Sequence, residues 1–175
     1  MKIKSLGGIL GTNPEIRSLQ CHSAKIEKGS LFFAIPGEKT DGHIYIQDAL
    51  ERGAVAVIAE HKPPSNINYP WIQVQSIRSV MSVMADRFYN SPSSQLKLIA
   101  VTGTNGKTTA SFLIHSILKQ RSPSVLLGTI HFQIGNQELP TILTTPESIE
   151  MQQRLYESLK KGCKMGVAEV SSHAL

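Results

Sequence analysis

Hydrophobic and polar positions along the chain alternate between two periods, and the switches between them divide it into elements. Ser30-Leu31-Phe32-Phe33-Ala34-Ile35 is a short apolar run of strand length, Pro36 to Gly42 is a loop, and Ile44 to Arg52 has helical spacing. Ala54 to Ala59 then reads as a buried strand opened by Gly53. A Pro- and Asn-rich loop, His61 to Pro70, leads to a strand at Trp71 to Val74. After it Ile77, Val80, Met81, Met84 and Phe88 recur at three- and four-residue steps, the core-facing stripe of an amphipathic helix.

The polar segment Asn90-Ser91-Pro92-Ser93-Ser94 interrupts this pattern and predicts a linker, with domains at 1–92 and 93–175. Beyond it Leu96 to Val101 is a strand that runs into Thr102-Gly103-Thr104-Asn105-Gly106-Lys107-Thr108-Thr109. A helix follows whose expected apolar face is Leu113, Ile114, Ile117 and Leu118. Ser124 to Thr129 predicts another strand, and Gly135-Asn136 a turn within a hairpin spanning Ile130 to Leu139. A helix carrying Met151, Leu155 and Leu159 ends at Gly162, before a strand from Lys164 to Val170. Strands alternating with helices predict an α/β fold in both halves.

Composition narrows the function classes. The chain has 175 residues with 41% hydrophobic and 18% charged content, as in ordinary globular proteins. No apolar run approaches the roughly 20 residues needed to span a bilayer. The N-terminus lacks the apolar stretch of a secretory signal, which predicts a cytoplasmic protein. The net charge of +5 is spread evenly: residues 1–94 hold 10 basic and 8 acidic side chains, and residues 95–175 hold 8 and 5. Nothing in that distribution suits a nucleic acid. Cys21 and Cys163 form no CxxC motif, and buried thiols are expected. The six histidines show no HxxxH pair and no Cys or His neighbour completes a zinc site, so neither a structural nor a catalytic zinc is expected.

The strand-to-helix turn at Gly103 to Thr109 carries the most specific chemistry. Gly103 and Gly106 permit a backbone that aims successive N–H groups at phosphate oxygens, and the helix N-terminus adds its dipole. Lys107 can reach the outer phosphates, and the Thr108 hydroxyl is placed to coordinate Mg²⁺. The strict GxxxxGK[ST] pattern is not met, because Val101 stands five before Gly106; the motif is the shorter Gly-x-x-Gly-Lys-Thr. Two further segments carry candidate roles. Thr144-Thr145-Pro146-Glu147 reads equally as an N-cap and as a hydroxyl pair that holds an anionic group. Glu169 lies near the C-terminal end of its strand, the edge that carries the phosphate loop in a parallel sheet, so it can face a nucleotide-bound Mg²⁺.

Together, Val101 to Thr109, Thr144-Thr145-Pro146-Glu147-Ser148 and Glu169-Val170-Ser171-Ser172-His173-Ala174-Leu175 resemble the Mur ligase family, and within it the MurE type. Gly29 to Gly37 followed by Asp41-Gly42-His43 is similar to that family's uridine-nucleotide domain. The resemblance implies a uridine-nucleotide-binding α/β domain followed by the first part of a P-loop ATPase domain. It implies ATP-dependent addition of a diamino acid, meso-diaminopimelate or L-lysine, to UDP-MurNAc-L-Ala-D-Glu through an acyl phosphate, in peptidoglycan synthesis. Gly103, Thr104, Asn105, Gly106, Lys107, Thr108 and Thr109 would bind ATP, with Lys107 catalytic. Thr108 and Glu169 would hold Mg²⁺, and Ser23, Thr144, Thr145 and Ser171 would contact the muramoyl substrate, with Glu38 to Thr40 beside Ser23.

The chain departs from the family at His22-Ser23-Ala24, where an Asp and an Arg usually flank the serine, and at Leu143, where a polar residue tends to stand. The family has three domains and this chain reaches only into the second, so the 175 residues alone are expected to be inactive as a ligase. Two other readings remain open: a different small P-loop kinase or nucleotidase, and a non-catalytic UDP-sugar or nucleotide-binding module.

Overall fold

A computed structural model describes residues 14–37, 40–65, 67–128, 132–139 and 148–170. The chain divides into two compact units, Met1–Met84 and Ala85–Leu175.

In the first unit, four strands form one parallel sheet in sequential order: β1 (Ser18–Gln20), β2 (Ser30–Phe33), β3 (Ala54–Ala59) and β4 (Trp71–Gln73). Every residue of β2 is buried, as its unbroken apolar run requires of a strand covered on both faces. The helix expected from Ile44 begins instead as a 3₁₀ turn, Gly42–Tyr45, and becomes α1 at Ile46–Glu51. The Asp41 carboxylate caps that turn by accepting from the His43 N–H at 2.9 Å. Ile46 and Ala49 of α1 pack with Phe32, Ala34, Val57, Ala59 and Trp71 in one apolar cluster. α2 (Ile77–Phe88) buries Ile77, Met81 and Met84 with Ala85 beside them, the stripe that the spacing predicts.

Asn90 and Ser91 take left-handed backbone conformations, and one helical turn, α3 (Pro92–Gln95), follows with Pro92 at its start. The second unit's sheet has the order β5-β9-β6-β7-β8, formed by β5 (Lys97–Val101), β6 (Ser124–Leu127), β7 (Phe132–Ile134), β8 (Gln137–Leu139) and β9 (Met165–Glu169). β5, β9 and β6 are parallel, and the β7–β8 hairpin extends the sheet antiparallel from β6 with Gly135-Asn136 at its turn. α4 (Lys107–Lys119) links β5 to β6 across the place that β9 fills. α5 (Ser148–Lys160) sends Leu155 into the cluster of Val125, Leu127, Phe132 and Ile134. The Arg154 guanidinium, paired with Glu150, lies 4.2 Å above the Phe132 ring.

Two expectations are corrected. Of the predicted apolar face of α4, Leu113 and Ile117 are 63% and 66% exposed, while Ser111 and His115 are the residues buried. Thr108 faces Glu169, and positions three and seven further on share its stripe, whereas Leu113 lies about 140° around a helix that turns ~100° per residue. Of the two thiols, Cys163 is buried but Cys21 is only partly so. Among the described residues β5 pairs with β9 alone, and Ile99 on it is 42% exposed. No helix among them is long and apolar enough to cross a membrane.

β9 threads between β5 and β6 at a glycine. A Cβ on Gly166 would collide with the Val125 side chain and come within 2.9 Å of the Val125 carbonyl oxygen and 3.1 Å of Leu98 Cδ2. Gly166→Ala is expected to destabilise the second unit by about 1–3 kcal/mol, the usual cost of overpacking, as a lowered urea midpoint. An unchanged midpoint would mean that the three strands separate without cost.

Burial holds the His115 imidazole below the ordinary histidine range, and the nearby Lys119 charge adds to this; a bond to the Ser124 carbonyl at 3.3 Å offsets part of it. The unfolded chain therefore takes up a proton as pH falls through about 6.5 while the folded chain does not. Stability from this group is complete above that pH and declines on acidification until the folded group also protonates. His115→Gln should flatten the fall in urea midpoint just below pH 6.5; a slope the substitution leaves intact would contradict the assignment.

Candidate functional site

The phosphate-loop motif occupies the turn from β5 into α4. Gly103 and Gly106 have φ of 146° and 75°, and Gly106 is the left-handed N-cap of α4. A Cβ on Gly106 would meet nothing within 4 Å, so backbone conformation rather than space requires glycine there. The first turn of α4 contains no acidic side chain, so no carboxylate of its own offsets the positive helix end. Residues 102–106 are exposed. The Lys107 ammonium folds back over this turn and donates to the Gly103 carbonyl at 2.6 Å, with the Thr104 carbonyl at 3.4 Å. A cation and an open helix N-terminus thus face the same exposed loop, the combination that attracts a phosphate.

Glu169 reaches this place through strand register. β9 lies directly beside β5, Val101 is opposite Glu169, and the Val170 N–H donates to the Val101 carbonyl at 2.9 Å. Glu169 is 7% exposed, and its Oε2 accepts from the Thr108 hydroxyl at 3.1 Å across 61 residues of sequence. Two hard oxygen donors, one of them a carboxylate, therefore stand together at the base of the loop, a donor set that suits Mg²⁺.

Lys107, Thr108 and Glu169 are thus brought together with Gly103, Thr104, Asn105, Gly106 and Thr109. Thr144, Thr145, Ser171, Glu38 and Lys39 lie outside the described residues. Ser23 belongs to the first unit, at the start of the 3₁₀ turn Ser23–Lys25. Its hydroxyl bonds to the Asp48 carboxylate on α1, a partner that the sequence did not point to. That bond first, and the Arg52 side chain second, hold the Asp48 carboxyl below the usual carboxylate range. Also unforeseen is the gathering of Asp41, His43 and His61, whose ligand atoms lie within 4.8 Å of one another. No short spacing signals it, because His61 comes from a different loop.

Two family models match the chain: "Mur ligase family, catalytic domain" over residues 15–89 and "Mur ligase middle domain" over residues 101–175. The chain belongs to the Mur ligase family. Among its relatives is the UDP-N-acetylmuramoyl-L-alanyl-D-glutamate--2,6-diaminopimelate ligase of Geobacter sulfurreducens, 43% identical over 92% of this chain and 32% of the relative. The same-named ligase of Geobacillus thermodenitrificans is 41% identical over 94% and 34%. A solved structure of a ligase with that name superposes with a TM-score of 0.74 at 30% identity, covering 90% of this chain and 32% of the other. A MurF ligase from Thermotoga maritima in complex with ADP superposes with a TM-score of 0.62 at 25% identity, covering 89% and 32%. The chain spans about a third of the length of these Mur ligases. The two family models fall on either side of the Asn90–Ser94 segment.

Ser23→Ala is expected to move the Asp48 titration upward, toward the ordinary carboxylate range, in carboxyl-carbon NMR. A titration that stays in place would show that the hydroxyl does not hold that carboxylate.

Proposed function

We propose that this chain forms the nucleotide-binding front part of a cytoplasmic, MurE-type ligase, with 1–92 binding the uridine nucleotide and 93–175 beginning the ATP-binding domain. The observation that carries this reading is the Thr108–Glu169 hydrogen bond beside Lys107, in a chain whose relatives are named as diaminopimelate ligases. The ligase reaction transfers the γ-phosphoryl group of ATP to the D-glutamyl carboxylate of UDP-MurNAc-L-Ala-D-Glu. The amine of the incoming diamino acid then displaces phosphate from the resulting acyl phosphate. The relatives' names favour 2,6-diaminopimelate over lysine as that amine.

The residues present fit Mg²⁺ bound with the nucleotide, because Thr108 and Glu169 offer it hard oxygen ligands in a nearly closed position. Bound there, the ion would neutralise phosphate charge during transfer. The chain's own groups have separate tasks. Lys107 would exchange its bonds to the loop carbonyls for bonds to phosphate oxygens and stabilise charge that develops on the transferring group. Loop N–H groups from Gly103 to Thr109 would orient the phosphates, and Ser23, Thr144, Thr145 and Ser171 would hold the muramoyl substrate. Alone, the 175 residues are expected to bind nucleotide without ligase turnover.

Calorimetric titration with ATP and Mg²⁺ tests this. Lys107→Ala should weaken binding about 10- to 100-fold, the loss expected for charge-assisted hydrogen bonds worth ~1.5–3 kcal/mol. Glu169→Gln should remove most of the Mg²⁺ dependence and leave metal-free binding nearly unchanged. Equal affinity in the parent chain and Lys107→Ala would overturn the nucleotide assignment, and phosphoryl transfer from ATP to a simple alcohol or nucleoside would favour a small kinase instead.

A further inference from the structure

The first unit contains a constellation that the ligase reading does not use. β2 and β3 are parallel neighbours, so the loops that leave their C-terminal ends emerge on the same sheet edge. The loop after β2 carries Asp41 and His43, and the chain after β3 carries His61. Both are anchored by backbone contacts. The Gly42 N–H donates to the Ile35 carbonyl at 2.8 Å, and Pro36 bridges Asp41. On the other side the Trp71 indole donates to the His61 carbonyl at 3.2 Å. Gln73 holds the Glu60 carbonyl, and the Glu60 carboxylate receives the Ile77 N–H at 2.8 Å.

Within this frame the His43 and His61 rings stack 15° from parallel, with centroids 4.0 Å apart. His43 Nδ1 meets Asp41 Oδ1 at 2.5 Å. With that nitrogen donating to the carboxylate, Nε2 carries the ring's lone pair, and it is sealed from solvent with no hydrogen-bond partner. A buried acceptor left without a donor is costly in a folded protein. An imidazole oriented by a carboxylate on one nitrogen, with the other presenting a lone pair, is how a metal-binding histidine is normally held.

We propose that His43 Nε2 and His61, with Asp41 holding the His43 ring by its other nitrogen, form a binding site for one divalent first-row transition cation, with zinc its representative, at the carboxyl edge of the first sheet. Two imidazoles select such a borderline ion over Mg²⁺, which prefers all-oxygen ligands. Ligand atoms around a tetrahedral zinc with bonds of about 2.0–2.1 Å lie roughly 3.4 Å apart. Here one atom from each side chain already falls within 4.8 Å of the others, and His61 is exposed and able to rotate the remaining distance. The ion would tie the chain after β2 to the chain after β3. The site involves neither the phosphate loop nor Glu169, so it stands or falls separately from the ATP-binding part of the ligase reading.

The test is a titration of the metal-free 175-residue chain with Zn²⁺ against a chromophoric chelator near neutral pH, without nucleotide. One equivalent is expected to bind, with a raised thermal midpoint and a shifted His43 Nε2 resonance in ring-nitrogen NMR. His61→Ala and His43→Ala should each weaken binding at least tenfold and abolish the thermal shift. His22→Ala and Glu169→Gln should retain both. His61→Ala keeps the backbone carbonyl that accepts from the Trp71 indole, and its urea midpoint serves as the check on folding. Absence of a bound equivalent, or an equivalent that His61→Ala leaves unchanged, would overturn the proposal.

Discussion

The second unit is organised around the meeting of Thr108 and Glu169 at the ends of two neighbouring parallel elements. α4 leaves β5 through a left-handed Gly106, which sets the direction of the helix, and the Thr108 hydroxyl bonded to Glu169 sets its rotation. Once Thr108 faces inward, helical periodicity brings Ser111 and His115 onto the same stripe. The fully buried Ser111 is small enough for α4 to lie close to the sheet, and His115 reaches the Ser124 carbonyl at the start of β6. A polar stripe therefore occupies a place where apolar periodicity would have put Leu113 and Ile117. A bond to the Ser124 carbonyl offsets the cost of burying His115, while the buried Ser111 hydroxyl has no partner among the described residues.

The same constraint explains why β9 must pass between β5 and β6. A carboxylate reaches the base of the phosphate loop at 3.1 Å from Thr108 only if its strand is the immediate neighbour of β5 in parallel register. Gly166 makes that close passage possible, with Leu98 on one side and Val125 on the other. Register, glycine and carboxylate thus form one device, and the three lie within four residues of each other on β9.

Both units gather their chemistry at the carboxyl ends of parallel strands, where successive loops leave on one side. The donors collected there differ. The second unit assembles an ammonium, a hydroxyl and a carboxylate around a helix N-terminus, a set suited to phosphate and a hard cation. The first unit assembles two imidazoles and a carboxylate, a set suited to a softer ion.

The sequence by itself determined the features that depend on near neighbours. Every strand except β1, the stripe of Ile77, Met81 and Met84 on α2, the β7–β8 hairpin and the Gly-Lys-Thr turn follow from local periodicity and backbone preference, which act over a few residues; the three residues of β1 are too short a run to show a period. The place of Glu169 at the C-terminal end of its strand, the edge that carries the phosphate loop in a parallel sheet, added its pairing with that turn. Tertiary structure alone decided the rotation of α4, which sets Thr108 against Glu169, 61 positions away, and leaves Leu113 and Ile117 exposed. It also decided the bond from Ser23 to Asp48 and the stacking of His43 on His61. These pairs come from separate elements, and their approach depends on which strands lie side by side, a relation that no local spacing in the chain encodes.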